Sequence, residues 1–219
     1  GQRMSLPYAI VYKPPPPHLA DRVSSFYEFT NPAPLHDDVE RADRQQLRLQ
    51  LAGNGYYEFA CGRQDASHPV SLIGPTTGHI RGVSHGPTHI FGIGLLPAAW
   101  GAIIGSHTED YVDRCVDAST LLGEGAIELW QQVGKADSFD ERVDIAAEFL
   151  TRITAPADAE HARLTELVDR WLTDNPDPHI DDLLAATGFG LRKLERLTKR
   201  YYGLPPKTLA RKYRALRAA

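Results

Sequence analysis

Residues 185–202 read AATGFGLRKLERLTKRYY. Glycines on both sides of Phe189 predict a three-residue turn between two helical stretches, 180–187 and 191–202. At about 100° per residue, the cations of the second stretch fall within an arc of about 120°, and its apolar residues fill a similar arc on the far side. The cations are Arg192, Lys193, Arg196, Lys199 and Arg200, and the apolar residues are Leu191, Leu194, Leu197 and Tyr201. The second helix is therefore predicted to pack one face and to expose a cationic one.

Charge is distributed unevenly around this stretch. The 219-residue chain has a formal net charge of −4. Residues 188–219 hold ten Lys or Arg against one acid, Glu195, a local net of +9, so the remaining 187 residues carry a net of −13. The acidic residues 1–187 would repel a polyanion such as DNA, and the basic residues 188–219 would attract it. The affinity for a polyanion rises with the number of cations that contact its phosphates. The charge pattern therefore favours nucleic-acid binding by the C-terminal stretch.

Two roles are expected for the polar residues of this region. A helix behind a three-residue turn fits the major groove, where arginine pairs with guanine and glutamate accepts from cytosine. We therefore expect Arg192, Glu195 and Arg196 to contact bases in double-stranded DNA. The expected phosphate contacts are Lys193, Lys199, Arg200, Lys207 and Arg211. The alternative is a solvated basic helix with no DNA partner.

The same residues resemble a known family. Residues 185–197, followed by Tyr202-Gly203-Leu204-Pro205-Pro206-Lys207, are similar to the first helix-turn-helix of AraC-type transcription regulators. That motif has Gly before the turn, a hydrophobic-x-Arg start to the recognition helix, and a closing Gly-x-x-Pro-Lys. Residues 72–76 and 91–97 resemble the cupin-like sensor halves of one branch of the family. The resemblance implies a ligand-responsive regulator, with a small-molecule effector in a β-barrel and a homodimer formed through the helices that follow.

The chain departs from the family pattern at three points. Leu184 stands where many such motifs carry a small residue, and Gly190 stands where a serine commonly caps the recognition helix. The family's DNA-binding unit contains a second helix-turn-helix after a connecting helix, and the sequence stops at Ala219 within that helix. We therefore expect a C-terminally truncated unit that binds DNA poorly by itself.

The N-terminal half shows strand patterns. Leu47, Leu49 and Leu51 alternate with polar residues, and Gly53-Asn54-Gly55 predicts the turn of a hairpin whose second strand is 56–61. Further strands are expected at 70–73, 79–83 and 89–96, which together predict a small barrel or sandwich. Ahead of them, the apolar residues Leu19, Val23, Phe26 and Tyr27 recur at helical spacing and predict a short helix.

Helical patterns follow residue 97. Helices are expected over 121–133, over 138–153 behind a Ser-x-x-Glu cap, and around 164–172. Pro156 and small neighbours mark a boundary at 154–158. The predicted chain is α+β, with a β-rich cupin-like barrel at 1–105, a helical linker and dimerisation region at 106–155, and an all-α helix-turn-helix domain at 156–219. The expected dimer contact lies near 121–153.

Aromatic residues of the β-rich half suit either a small-molecule pocket or the core. They are Tyr56, Tyr57, Phe59, Phe91 and Trp100. For the pocket we expect Tyr57 and Phe91 as walls, with His79 and Arg81 as polar partners on an inward-facing strand.

The competing hypothesis is a cupin-fold enzyme, metal-dependent or isomerase-like, with a basic helical tail. Cupins often bind metal through histidines, but His79, His85 and His89 do not form the His-x-His spacing, so no metal is expected. No nucleophile motif or phosphate-binding glycine loop is present, so the sequence predicts neither catalytic residues nor a cofactor.

Composition narrows the remaining classes. No run of 18 uncharged apolar residues is present, which excludes a membrane span of that kind. The N-terminus lacks the pattern of a secretory signal, and the two cysteines, Cys61 and Cys115, have no paired spacing. We therefore expect reduced thiols and a cytoplasmic location.

Overall fold

The structure is a computed structural model that describes residues 8–40, 45–105, 107–154 and 159–218, with side chains to residue 215. It is α+β: a sheet of eight antiparallel strands comes first and a helical region follows. The strands are β1 Ala9–Lys13, β2 Val23–Asn31, β3 Leu35–Glu40, β4 Gln46–Phe59, β5 Gln64–Ala66, β6 Val70–Ile73, β7 Ile80–Leu95 and β8 Cys115–Asp117. The helices are α1 Ser119–Leu122, α2 Glu124–Lys135, α3 Phe139–Ile153, α4 Ala159–Asp174, α5 Ile180–Thr187, α6 Leu191–Tyr202 and α7 Pro206–Ala218. Short turns of other helix types occupy Pro17–Leu19, Trp100–Ile104 and Thr108–Tyr111.

Two long strands, β4 and β7, organise the sheet. They pair along nearly their whole length, and the strand order is β1-β2-β7-β4-β6-β8, with β3 on the N-terminal half of β7 and β5 on the C-terminal half of β4. Among the described residues the order does not return to its start. The sheet is therefore open, and the predicted closed barrel is not present.

The hairpin predicted at residues 47–61 is wrong. Those residues form the single strand β4, whose register against β7 shifts between Gln50 and Asn54. A side chain at Gly55 would place its Cβ 1.7 Å from the carbonyl oxygen of Val83, so the glycine permits close approach of the two strands. The glycines accommodate an irregular ladder instead of reversing the chain. Strand β7 is likewise continuous from Ile80 to Leu95, whereas two separate strands, 79–83 and 89–96, were predicted.

The short helix predicted around Leu19 to Tyr27 is also wrong. Only Pro17–Leu19 is helical, and Val23–Asn31 is strand β2. The pairing of β2 with β7 is irregular between Val23 and Ser25. Val23 and Phe26, three residues apart, are both buried in the same core cluster. The bulge interrupts the alternation of faces and so produces a spacing that resembles a helix.

Helices α2 and α3 cover one face of the sheet. Leu129, Val133, Val143 and Leu150 share one core cluster with sheet residues such as Phe91. Helix α3 begins as predicted, because Ser138 Oγ accepts a hydrogen bond from the Glu141 amide at 3.1 Å. The apolar stripes of these helices are thus buried within the chain, and dimerisation through 121–153 stays a prediction.

Helices α4 to α7 share a second core. Its members include Leu164, Trp171, Leu183, Leu194 and Leu209. This core contacts the segment between β7 and β8, because Thr108 Oγ1 donates to the Tyr201 carbonyl at 3.1 Å. Within the helical region, the rings of His161 on α4 and Tyr201 on α6 stack with centroids 3.9 Å apart. The predicted boundary falls largely on residues 155–158, outside the described residues, so the three-part division stays a prediction. None of the described helices is both long and apolar enough to cross a bilayer.

Candidate nucleic-acid interface

The turn between α5 and α6 is built from backbone and glycine geometry. Gly188 ends α5 with φ +72° and donates its amide to the Leu184 carbonyl at 2.9 Å, as expected of a left-handed C-terminal glycine. Gly190 precedes α6 in an extended conformation (φ −72°, ψ 160°) and offers no side-chain cap. Leu183 and Leu194 lie on opposite sides of the turn and are both fully buried. The two helices therefore lie where the sequence placed them, fixed by a shared apolar contact.

Helix α6 divides into a buried and an exposed face. Leu194, Leu197, Thr198, Tyr201 and Tyr202 are buried. Leu191 is an exception to the predicted packed face, because it is 48% exposed. It is the first residue of the helix, one turn ahead of Leu194, so its side chain extends beyond the shared core. Leu191 therefore belongs to the surface.

The cationic face of α6 is open. Seven C-terminal cations are exposed: Arg192, Lys193, Arg196, Lys199, Arg200, Lys207 and Arg211. Within the described ranges none of the seven forms an ion pair with an acid. Arg214 differs, because its Nη1 lies 2.8 Å from Asp177 Oδ1. We call the seven exposed cations the basic ridge. Glu195, the acid predicted to contact a base, lies between cations of the ridge and is half-buried.

Aromatic rings orient two cations of the basic ridge. The Nζ of Lys193 lies 4.2 Å from the centroid of the Phe189 ring, and the Arg200 guanidinium carbon lies 5.4 Å from that of Tyr201. Such contacts hold the aliphatic part of a cationic side chain while its polar end stays in water. The first contact ties the turn to the first turn of α6.

Helix α7 adds two cations beside α6. Lys207 and Arg211 are four residues apart and so share one face, while Leu209 and Ala210 are buried in the helical core. Gly203 links the helices with φ +81°, and a Cβ there would lie 2.7 Å from Val112 Cγ2. Glycine is required at this link both for its backbone conformation and for its close approach to the segment between β7 and β8.

The structure does not bring together the four residues predicted for an effector pocket. Phe91 is fully buried and its ring lies 6.2 Å from that of Phe26 in the core, so it is not a pocket wall. Arg81 faces solvent instead of inward, with its side chain 40% exposed and paired to Asp37 at 2.7 Å. His79 is exposed just before β7. Tyr57 lines a small cavity beside Arg48.

A larger cavity that the sequence did not predict lies over the other face of the sheet. Its volume is about 870 Å³, and strands β1 to β4 line it together with helix α7. Arg48 is buried there: Nε donates to Tyr27 Oη at 2.8 Å and to Gln46 Oε1 at 3.0 Å, and Nη2 donates to Glu40 at 2.6 Å. Burial raises the pKa of the Tyr27 phenol above its ordinary value, so this group stays protonated. The alternation of Leu47, Leu49 and Leu51 suggests a solvent-facing Arg48, and only a sheet covered on both faces explains its burial.

The three histidines weighed as metal ligands in the sequence have separate surroundings. His79 and His85 are exposed, and His89 Nε2 lies 2.8 Å from Glu28 Oε1. The described part of the chain contains no group of three or more His, Cys, Asp or Glu side chains that could hold a metal. Cys61 is exposed and Cys115 is buried; both are free thiols, and burial raises the pKa of Cys115 to about 11.

Comparison with solved structures shows a likeness to a known regulator. No family model and no curated protein matches the chain. The crystal structure of the AraC-like transcriptional activator CuxR is similar over 97% of this chain and 80% of that chain, at 14% sequence identity and a TM-score of 0.42. A likeness of this level says nothing about function, so the functional argument rests on the side chains described above.

Proposed function

We propose that this protein is a ligand-responsive, sequence-specific DNA-binding transcription regulator of the AraC type. In this proposal α5, the turn and α6 form a helix-turn-helix, and α6 is the recognition helix in the major groove of double-stranded DNA. The sheet region senses a small-molecule effector, and the regulator acts as a homodimer.

The basic ridge is the observation that carries the proposal. The seven residues of the ridge form no ion pair with an acid of the same chain within the described ranges, so their charges stay available to a polyanion. They lie on two consecutive helices, in a chain whose remainder is acidic. A concentrated, unpaired positive surface of this kind favours phosphate contacts and counterion release.

Two contact types are distinguished by position on the helix. Arg192 and Arg196 lie one turn apart in the N-terminal half of α6, which is the part that reaches base edges in a helix-turn-helix; Glu195 lies between them. Lys193, Lys199 and Arg200, with Lys207 and Arg211 on α7, fit backbone contacts. A base contact affects specificity, whereas a phosphate contact affects affinity for every sequence.

The test is a selection from randomised DNA duplexes with the purified protein at low salt, followed by affinity measurements on the enriched sequence. Because one helix-turn-helix reaches a single groove segment, we expect a short motif of a few base pairs. Arg192→Ala and Arg196→Ala should each lower affinity for the enriched sequence while leaving affinity for random duplex nearly unchanged. Lys199→Ala serves as the matched variant and should weaken both equally.

Failure to enrich any motif would contradict sequence-specific recognition by α6, and so would equal effects of all three variants on the enriched and the random DNA. The enzyme alternative remains a separate hypothesis, and metal analysis of the purified protein tests its metal-dependent form, since stoichiometric bound metal would favour it.

A further inference from the structure

We infer that the 870 Å³ cavity between the sheet and α7 binds a small aromatic carboxylate, which holds α7 against the sheet. The site itself does not depend on DNA. Its regulatory consequence rests on the proposed function, because α7 also carries part of the basic ridge.

The cavity has the size and composition of a ligand site. Its volume lies within the range of about 300–1,000 Å³ typical of small-molecule pockets. Six aromatic side chains line it: Tyr8, Tyr12, Tyr27, Phe29, Tyr202 and Tyr213. Aromatic walls favour flat, apolar ligand bodies, because stacked rings gain attraction beyond the burial of their area.

Exposed apolar residues on β1 mark the same cavity. Tyr8, Ile10 and Tyr12 are 65%, 41% and 65% exposed, and all three line the cavity. Alternate residues of a strand face the same side of a sheet, so residues 8, 10 and 12 form one row directed at this space, while Val11 faces away. A bound ligand body would cover this otherwise exposed row.

A buried cation supplies the polar anchor. Arg48 donates through Nε and Nη2 to Tyr27, Gln46 and Glu40, and the Tyr57 hydroxyl is a further hydrogen-bonding partner of its guanidinium. Arg48 lines both the large cavity and the smaller one behind it. A carboxylate in the cavity would replace neutral hydroxyl acceptors with a charged one, which forms strong charge-assisted hydrogen bonds with a guanidinium.

Charges around the anchor favour an anion over a cation. Lys212 of α7 lines the cavity opposite the sheet. Of the two acids present, Glu40 is already paired with Arg48, and Asp38 is exposed to solvent, which screens its charge. An amine ligand would meet both cations, and among the described residues that line the cavity neither acid is both buried and unpaired.

Helix α7 connects the cavity with the basic ridge. Leu209, Lys212 and Tyr213 are three and four residues apart and share the face that lines the cavity. Lys207 and Arg211 lie roughly on the opposite side of the helix, at about 100° per residue. A ligand on the first face therefore fixes the helix that presents the cations of the second.

The test uses the intact protein and named probes. Benzoate, 4-hydroxybenzoate and 2-naphthoate are titrated in a calorimeter, each with its own amide and arylmethylamine as matched neutral and cationic probes. We expect at least one carboxylate to bind and its amide and amine counterparts to bind roughly tenfold more weakly or not at all, since they lack the charge-assisted bond. Hydrogen exchange should slow in α7 when that carboxylate is added.

Variants locate the binding. Tyr12→Ala changes an exposed side chain of the cavity row and should weaken the carboxylate roughly tenfold, while Val11→Ala on the other side of β1 should leave it unchanged. Replacing buried Arg48 together with its partly exposed partner, Arg48→Gln with Glu40→Gln, avoids leaving one charge unpaired and should abolish the preference for the carboxylate over the amide. Lys212→Gln should weaken the carboxylate without affecting the amide.

Three results would overturn the inference: none of the carboxylates binds, the amide or amine binds as well as its carboxylate, or Val11→Ala and Tyr12→Ala have equal effects. Binding that leaves exchange in α7 unchanged would overturn the coupling. All these measurements are free of DNA, so failure of DNA binding in a separate assay would count against the proposed function alone.

Discussion

The sheet region and the C-terminal helices treat their cations in opposite ways. On and around the sheet, arginines are matched to acids: Arg48 with Glu40, Arg81 with Asp37, Arg63 with Asp65 and Arg142 with Glu28. On α6 and the start of α7 the cations of the basic ridge extend into solvent and form no ion pair with an acid of the described ranges. Paired charges maintain a fold, whereas a dense unpaired set repels itself unless a polyanion neutralises it.

Removing the unpaired set should have the largest effect. Arg192, Arg196, Lys199 and Arg200 changed together to glutamine should lower affinity for duplex DNA at low salt by roughly a hundredfold or more. The matched control changes two paired and partly exposed sheet arginines, Arg63→Gln with Arg81→Gln, and should leave affinity within about twofold. Fluorescence anisotropy measures both. Equal losses would show that the contrast between the regions has no bearing on DNA.

Breaking a buried pair in the sheet region should affect stability instead. Arg142 Nη1 lies 2.8 Å from Glu28, Nη2 donates to the Ala136 carbonyl at 2.7 Å, and both side chains of the pair are 13% exposed. Arg142→Met should lower the free energy of unfolding by about 3 kcal/mol, because it removes the cation beside buried Glu28, whose other partner is His89, and the side-chain donor to the end of α2. Denaturant unfolding checks this value.

The control for that measurement is the exposed pair of Arg152 with Glu148, 3.7 Å apart on α3. Arg152→Met should cost less than about 0.5 kcal/mol. A cost at Arg142 no larger than at Arg152 would remove the structural role assigned to the paired arginines.

The two glycines of the turn provide a smaller test, which changes no charge. Gly190 lacks a side-chain cap, so Gly190→Ser should raise the free energy of unfolding by about 0.3 kcal/mol. Gly188 has φ +72°, so Gly188→Ser should instead lower it by about 1 kcal/mol. Thermal or denaturant unfolding should therefore give opposite signs, and equal signs would contradict the geometry of the turn.

The smallest effect concerns an exposed pair. The hydrogen bond from Arg81 lowers the pKa of the Asp37 carboxyl, so the stabilisation from the pair is present above the ordinary Asp pKa and is lost as pH falls through the folded-state value. Arg81→Gln should raise the Asp37 titration midpoint, measured by carboxyl-carbon NMR. An unchanged midpoint would show that the ion pair does not persist in solution.

Local patterns explain why the helical half was predictable. The contacts that define α5, the turn and α6 join residues three, four or a few positions apart. The two positions with a left-handed backbone, 188 and 203, are both glycine. The exposed cations of α6 follow from the same angular arithmetic. The exposure of Leu191 was not predicted, because the angular pattern places it on the packed face. As the first residue of α6, it lies beyond the core that buries Leu194.

Long-range pairing explains what the sequence missed. Strands β4 and β7 have 14 and 16 residues, well beyond usual strand lengths, and their irregular registers resemble turns when the chain is read alone. The burial of Arg48 requires Glu40 and Tyr27 from neighbouring strands, and the cavity requires α7 from the other end of the chain. No local pattern contains that information, so the predicted pocket of Tyr57, His79, Arg81 and Phe91 does not correspond to the main cavity.

The salt dependence of DNA binding tests the central contrast most directly. The logarithm of the association constant, plotted against the logarithm of salt concentration, should fall with a slope of about −0.9 for each phosphate contacted, so a ridge of seven cations should give roughly −4 to −6. Replacing the four α6 cations removes two of the proposed phosphate contacts and should make the slope shallower by about 2, while the paired-arginine control keeps the original slope. A slope near zero, or one that both variants share with the unmodified protein, would contradict the account.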